Sequence, residues 1–63
     1  NCADEAAVEL FMQGIISYLG ISDAIAKAMS EIKNIEYPTI SDIWETDKLA
    51  REIVYRLEKE SLI

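Results

Sequence analysis

Few residues of this sequence could do chemistry. The chain has one cysteine, Cys2, and no histidine, so the most common catalytic base and the usual zinc ligands are missing. Cys2 is followed closely by Asp4 and Glu5, and acidic neighbours make a thiol less reactive. The sequence contains neither a glycine-rich phosphate loop nor a calcium-binding loop. We therefore predict a protein that is not an enzyme, with no catalytic residues, no cofactor and no metal site.

The charge balance narrows the choice of partner. Twelve acidic residues against six basic ones give a net charge of −6, so the phosphates of a nucleic acid would be repelled. No apolar run is long enough to span a membrane. A single free cysteine favours the reducing cytoplasm. These features predict a cytoplasmic protein whose partner is another protein chain, either a second copy or a basic or apolar segment.

The length of 63 residues allows one small domain, residues 1–63. A single core of this size supplies about 3–5 kcal/mol of stability, so association with another chain would add usefully to it. The sequence begins with Asn1 instead of methionine. We therefore expect a domain excised from a larger protein.

Apolar residues recur with a helical period through most of the chain. The first helix is predicted over residues 4–19, ending at Gly20, because glycine readily adopts the conformation that follows a helix. Its polar residues form only a narrow stripe, and the remaining surface is apolar. A surface helix usually has the reverse balance. We expect this helix to be buried against another helix or another chain.

Two further helices and one short turn follow. A helix over 22–34 is predicted to begin at Ser22 and to end before Pro38, which disfavours helix at the residue before it. Thr39 and Asp42 have the spacing of a capping box, which predicts a short helical turn over 40–45. Thr46 would cap a last helix over 47–60. The predicted fold is all-α, a small bundle of three long helices plus one short helical turn.

Six residues are candidates for contact with a partner. Gly14 would lie inside the first helix, where glycine is unfavourable, so it could mark a close crossing within the bundle or between two chains. The only tryptophan, Trp44, could be a core residue or an exposed binding anchor. The candidates are Val8, Phe11, Met12, Gly14, Ile15 and Trp44.

The stretch IEYPTISDI, residues 35–43, resembles the segment before the last helix of acyl and peptidyl carrier domains. Residues 4–10 resemble the carrier motif in which Asp-Ser-Leu precedes a helix, with Glu5 at the position of the serine that carries phosphopantetheine. The chain also resembles, in type, the small acidic docking domains of modular polyketide and peptide synthases. This resemblance implies a non-catalytic module for docking or dimerisation.

Three alternatives stay open. One is a domain shaped like a carrier protein but lacking its prosthetic arm. Another is a truncated winged-helix regulator, since residues 49–63 resemble a recognition helix leading to a wing. The third is a small acidic antitoxin or immunity-like protein. The leading interpretation is a docking or dimerisation module of a larger cytoplasmic protein.

Overall fold

The fold is all-α, as predicted. The computed structural model describes residues 2–63, and over this range it contains three helices and no strand. The helices are α1 (Cys2–Met12), α2 (Tyr18–Glu31) and α3 (Ile40–Lys59). Each of the three packs against the other two. The result is a small helical bundle with one shared core.

α1 and α3 run parallel, and α2 runs antiparallel to both. The buried residues of α1 extend from Ala3 to Leu10, and those of α3 extend over an equal length from Ala50 to Leu57. Side-chain hydrogen bonds give the direction, because α1 residues near its start contact Arg51 and a later one contacts Tyr55. The contacts between α1 and α3 therefore begin at the middle of α3.

The core is rich in alanine. Six of its eleven buried residues are alanines, and α1 contributes three of them together with Leu10. Small side chains let helix axes approach closely, so the packing depends on backbone proximity as much as on large side chains. The buried set is Ala3, Ala6, Ala7, Leu10, Ile16, Ala24, Ala28, Ala50, Ile53, Val54 and Leu57.

The first helix is shorter than predicted. It ends at Met12, and Gly14 follows it with a positive φ of 76°. The amides of Gly14 and Ile15 donate to the carbonyls of Phe11 and Leu10, both at 2.9 Å. This is the Schellman arrangement, which places glycine at C′. The prediction that Gly14 lies inside a helix is wrong, because Gly14 is the residue that ends it.

The start of the second helix also differs from the prediction. Ser17 is its N-cap, and the Ser17 hydroxyl accepts a hydrogen bond from the amide of Gly20 at 3.1 Å. Ser22, the predicted cap, lies inside the helix. Gly20, the predicted end of the first helix, therefore belongs to the first turn of α2.

The third helix joins two predicted elements. Thr39 and Asp42 form the expected capping box, in which each side chain accepts from the other's backbone amide at 3.0 and 2.9 Å. Beyond it, α3 continues without a break through Thr46 to Lys59. The separate helical turn over 40–45 and the cap at Thr46 are therefore wrong as boundaries, because nothing in this stretch interrupts a helix once it has started.

Candidate interaction surface

Two groups of exposed apolar side chains lie at different ends of the bundle. The first, the Trp44 surface, is formed by the end of α2, the loop 32–39 and the first half of α3. It consists of Met29, Ile35, Tyr37, Ile40, Ile43, Trp44 and Leu49. The second, the α1 surface, is formed by α1 and the turn into α2. It consists of Val8, Met12, Ile15, Tyr18 and Leu19.

A groove runs across the Trp44 surface. It has a volume of about 370 Å³ and is open to the outside. Five of its nine lining residues are apolar and four are polar. The lining residues are Met29, Ile32, Lys33, Asn34, Ile35, Pro38, Ile43, Thr46 and Asp47. A groove whose wall is mostly apolar, with one lysine and one aspartate, suits an apolar side chain better than a charged ligand.

The lengths of the helices explain why this surface is exposed. α3 has 20 residues and α1 has 11. The side-chain hydrogen bonds from α3 to α1 come from Arg51 and Tyr55, so α1 runs alongside the second half of α3. The first half, residues 40–49, packs toward the end of α2 and the loop 32–39. Its apolar residues therefore lack the third helix that a bundle needs to cover them.

The structure separates the residues that the sequence grouped as one interaction set. Val8, Met12, Gly14 and Ile15 are exposed on or beside the α1 surface. Phe11 is half-buried: it packs on the core, and its ring meets that of Tyr18 edge to face at 5.8 Å and 69°.

Trp44 lies elsewhere. It lies eleven positions before Tyr55, which contacts Glu9 of α1, so the distance along the helix is roughly 16 Å. The predicted set thus belongs to two surfaces, and its role in binding stays a prediction. Within the Trp44 surface, the pattern that places Ile40, Ile43 and Trp44 on one side of a helix was visible in the sequence. That Met29 and Ile35 belong to the same surface could be seen only in the folded structure.

Ion pairs use three of the basic side chains within the domain. Arg56 contacts both carboxylate oxygens of Glu31 at 2.6 Å, which joins α3 to α2. Lys27 pairs with Asp23 at 3.0 Å and also donates to the Leu62 carbonyl at 2.5 Å. These groups hold the bundle together and are not free to bind an anionic ligand.

The third of these basic residues, Arg51, joins α3 to the start of α1. Its guanidinium donates to Cys2 Sγ at 3.5 Å and to Glu5 Oε2 at 3.1 Å. The hydrogen bond to Cys2 and the nearby negative groups raise the pKa of Arg51 further above its ordinary value. Arg51 therefore stays charged and fixes the point where the chain enters α1.

A second polar contact joins the same helices further along. The Tyr55 hydroxyl donates to Glu9 Oε2 at 3.1 Å. Partial burial raises the pKa of Tyr55 above its ordinary value, and the hydrogen bond to Glu9 adds to the effect. Tyr55 is therefore a neutral hydrogen-bond donor at physiological pH.

Within residues 2–63, no group of three or more histidine, cysteine or acidic side chains could hold a metal ion. The first-turn amides of α3 are capped by Thr39, with Asp42 beside them, so this helix start does not suit a phosphate. Nor does the described part of the chain include a helix that is long and apolar enough to cross a membrane.

Comparison with known proteins identifies the family. Residues 1–53 match the family described as the DXP reductoisomerase C-terminal domain. The chain is 42% identical to the 1-deoxy-D-xylulose 5-phosphate reductoisomerase of Halalkalibacterium halodurans, over 94% of this chain and 15% of the relative. It is 45% identical to the enzyme of the same name from Caldanaerobacter subterraneus, over 89% of this chain and 15% of the relative.

A third relative covers the whole chain. It is the 1-deoxy-D-xylulose 5-phosphate reductoisomerase of Leptospira interrogans, 42% identical over 100% of this chain and 16% of the relative. The chain thus spans about 15% of the length of the curated relatives it matches. No solved structure matches it significantly.

These findings correct the functional predictions. The resemblance to synthase carrier and docking domains is wrong, because one different family accounts for residues 1–53. The winged-helix and antitoxin alternatives are wrong for the same reason. The prediction of a protein that is not an enzyme is also wrong, since the relatives are named as an enzyme. The chain belongs to the DXP reductoisomerase C-terminal domain family.

Proposed function

We propose that this chain is the C-terminal helical domain of an enzyme that reduces and isomerises 1-deoxy-D-xylulose 5-phosphate. The observation that carries this proposal is the family match over residues 1–53. The relatives that bear the enzyme's name support it, since each aligns with nearly the whole chain. The relatives are several times longer than this chain, so the domain would be one part of a larger protein.

Within that enzyme, the domain contributes packing and not reacting groups. The substrate carries a phosphate, and phosphates are usually held by arginine, lysine or free helix amides. This chain has a net charge of −6, and three of its basic residues form ion pairs inside the bundle. The phosphate contacts therefore come from the remainder of the enzyme.

The same holds for the reductant. Reduction of the substrate needs a hydride donor, which in enzymes is commonly a nicotinamide or a flavin. The described residues do not fit such a group: the groove is largely aliphatic, and the start of α3 is capped by its own side chains. The residues that bind the donor lie in the rest of the enzyme.

The α1 surface remains the proposed contact with a further protein chain, whether a second copy of the enzyme or a basic or apolar segment. Its support is the exposure of Val8, Met12 and Ile15. Light scattering of the full-length enzyme tests it: Met12→Glu should lower the mass of an assembly formed through this surface. An unchanged mass would contradict the proposal. A cytoplasmic location, supported by the free thiol of Cys2, belongs to the same proposal.

The experiment that tests the enzymatic proposal uses the full-length protein that ends in this domain. With 1-deoxy-D-xylulose 5-phosphate and either reduced nicotinamide dinucleotide, we expect the substrate to be reduced and its carbon skeleton to be rearranged. The oxidised dinucleotide is followed by absorbance and the product by mass spectrometry and NMR. A protein stopped before residue 1 is the matched control, and it should lose activity together with thermal stability.

The two halves of the proposal fail separately. If the full-length protein reduces no 1-deoxy-D-xylulose 5-phosphate, the assigned reaction is wrong. If the protein lacking residues 1–63 keeps full activity and stability, the domain has no structural role in the enzyme. If single substitutions of Lys33, Lys48 or Lys59 abolish activity in a folded protein, this domain does contact the substrate.

A further inference from the structure

The Trp44 surface has the features of a contact that is incomplete in this chain. Trp44 is 72% exposed and follows Ile43, which lines the groove, and Ile40 lies on the same half of α3. The rest of α3 shows how the helix is covered when a neighbour is present: from Ala50 to Leu57, its inward residues are buried against α1 and α2. The exposed half therefore lacks a neighbour on the side where α1 would lie if it were longer.

The direction of α1 shows where such a neighbour would enter. Arg51 contacts Cys2 and Glu5, so the chain passes α3 at this level as it begins α1. Since α1 and α3 are parallel, the chain that leads into Cys2 arrives from the side of residues 40–49. It comes to α3 at the edge of the uncovered half.

The comparisons supply the chain that would fill this place. The matched family is described as a C-terminal domain, and the relatives are several times longer than this chain. Most of their length therefore lies ahead of the residue corresponding to Asn1. Residues 40–49 of α3 extend over about 15 Å, a distance that about ten helical or five extended residues would cover. A short stretch of preceding chain is enough.

We propose that the stretch of the enzyme immediately before Asn1 packs onto the Trp44 surface and fills its groove, so that Trp44 is buried in the complete enzyme. This inference rests on the proposed function, since it requires the chain to be the last domain of a longer protein. The groove calls for aliphatic or aromatic side chains. Residues 35–47 carry four acidic side chains and no basic one, so lysine or arginine at the edge of the preceding stretch would complement them.

A photo-crosslinking experiment in the full-length enzyme tests this contact. p-Benzoylphenylalanine is placed at position 44 and, as a matched control, at position 18, because Trp44 and Tyr18 are both 72% exposed in this structure. After irradiation, we expect the probe at position 44 to join a peptide from the region directly before Asn1 within the same chain. The probe at position 18 should not join that region.

Other partners give different products. A cross-linked product of twice the chain mass would show that a second copy covers Trp44, and it would overturn the proposal. A cross-link to a remote part of the same chain, or no cross-link at all, would overturn it too. The reductase assay on the same preparation is independent of these outcomes. An active enzyme with the wrong cross-link therefore rejects the contact and leaves the proposed function standing.

A second measurement avoids substitution altogether. In hydroxyl-radical labelling of the native full-length enzyme, Trp44 should be oxidised several-fold more slowly than in the urea-unfolded enzyme. A short cross-linker that reacts with lysines then shows where the preceding region lies. Lys48, in the first half of α3, should be cross-linked to that region, whereas Lys59, at the other end of the helix, should not. Equal oxidation of Trp44 in the two states would contradict burial.

Discussion

The two halves of α3 are one continuous helix in two different surroundings. Leu57, in the second half, is 3% exposed and lies in the core. Leu49, in the first half, is 44% exposed although it belongs to the same helix and has the same side chain. The difference arises from neighbours and from the side of the helix, because Leu57 packs in the core shared by the three helices and Leu49 lies beside the end of α2 and the loop 32–39. The comparison shows that helix formation and helix burial are decided separately, the first by local sequence and the second by what else is present.

The largest expected effect is at Leu57. Leu57→Ala should lower the free energy of unfolding by about 2–4 kcal/mol, because it removes a buried leucine and leaves a cavity. Leu49→Ala in the same chain should cost less than about 1 kcal/mol. Urea denaturation of residues 1–63, followed by circular dichroism, measures both. Equal losses would show that the two halves of α3 are equally packed.

The same pair of variants sharpens the comparison in the full-length enzyme. If preceding chain covers the Trp44 surface, Leu49→Ala should become more costly there than in residues 1–63 alone. Leu57→Ala should have a similar effect in both settings. The thermal midpoint of the enzyme and hydrogen exchange in α3 peptides report the change.

The next effect concerns the start of α3. Thr39→Ala should cost about 1 kcal/mol, because the first-turn amide of Asp42 loses its acceptor. The first half of α3, residues 40–49, depends on this cap more than the second half does, because it has fewer tertiary contacts. Thr46→Ala is the matched control. Because Thr46 is inside the helix and caps nothing, this variant should change the free energy of unfolding by less than about 0.5 kcal/mol. A larger effect at Thr46 would indicate a second helix start.

A smaller effect is expected at the ion pair of the covered half. Arg56→Ala should cost about 0.5–1 kcal/mol, because both partners are over 40% exposed and water screens them. Arg56→Lys is the control: it keeps the charge but not the two-pronged contact with Glu31, so it should recover only part of the loss. The difference should shrink at high salt. Urea denaturation at low and high salt tests both statements.

The smallest effect is a dependence on pH. The pKa of Tyr55 is raised in the folded chain, chiefly by partial burial and then by its hydrogen bond to Glu9. Because the folded state favours the neutral phenol, this contribution is complete below the ordinary pKa of about 10 and is lost as pH rises through the raised value. Ultraviolet titration of the tyrosines, with the curve of Tyr55→Phe subtracted, should show that Tyr55 ionises at a higher pH than an ordinary tyrosine. Glu9→Gln should make this difference in pH smaller. Ionisation at the ordinary value would contradict the contact.

What could be predicted from sequence was local. The capping box at Thr39 and Asp42 was predicted and is confirmed, because its donors and acceptors lie within one helical turn. The rule that glycine follows a helix was sound but was applied to the wrong residue: Gly14 ends α1, and Gly20 lies within α2. The helical pattern of apolar residues continues past both glycines, so it could not show which of them ends the first helix.

What depended on tertiary neighbours could not be predicted. Arg51 and Arg56 each have an acid four residues before them in the sequence, a spacing that favours a pair within one helix. In the fold they contact Glu5 and Glu31 on other helices, and Arg56 also pairs with Glu60. The same limit applies to the interaction set, since no local pattern shows that Trp44 and Met12 lie at different ends. The family itself came from comparison, as the residues alone suggested synthase domains.

The alanine core has a consequence for how the domain comes apart. Both buried residues of α2 are alanines, and so are three of the four buried residues of α1, whereas α3 buries Ile53, Val54 and Leu57. α1 contacts both other helices extensively, and α2 and α3 contact each other less. Displacing α1 would leave α2 and α3 held by the smaller contact. We therefore expect the three helices to open and to exchange their amide protons together.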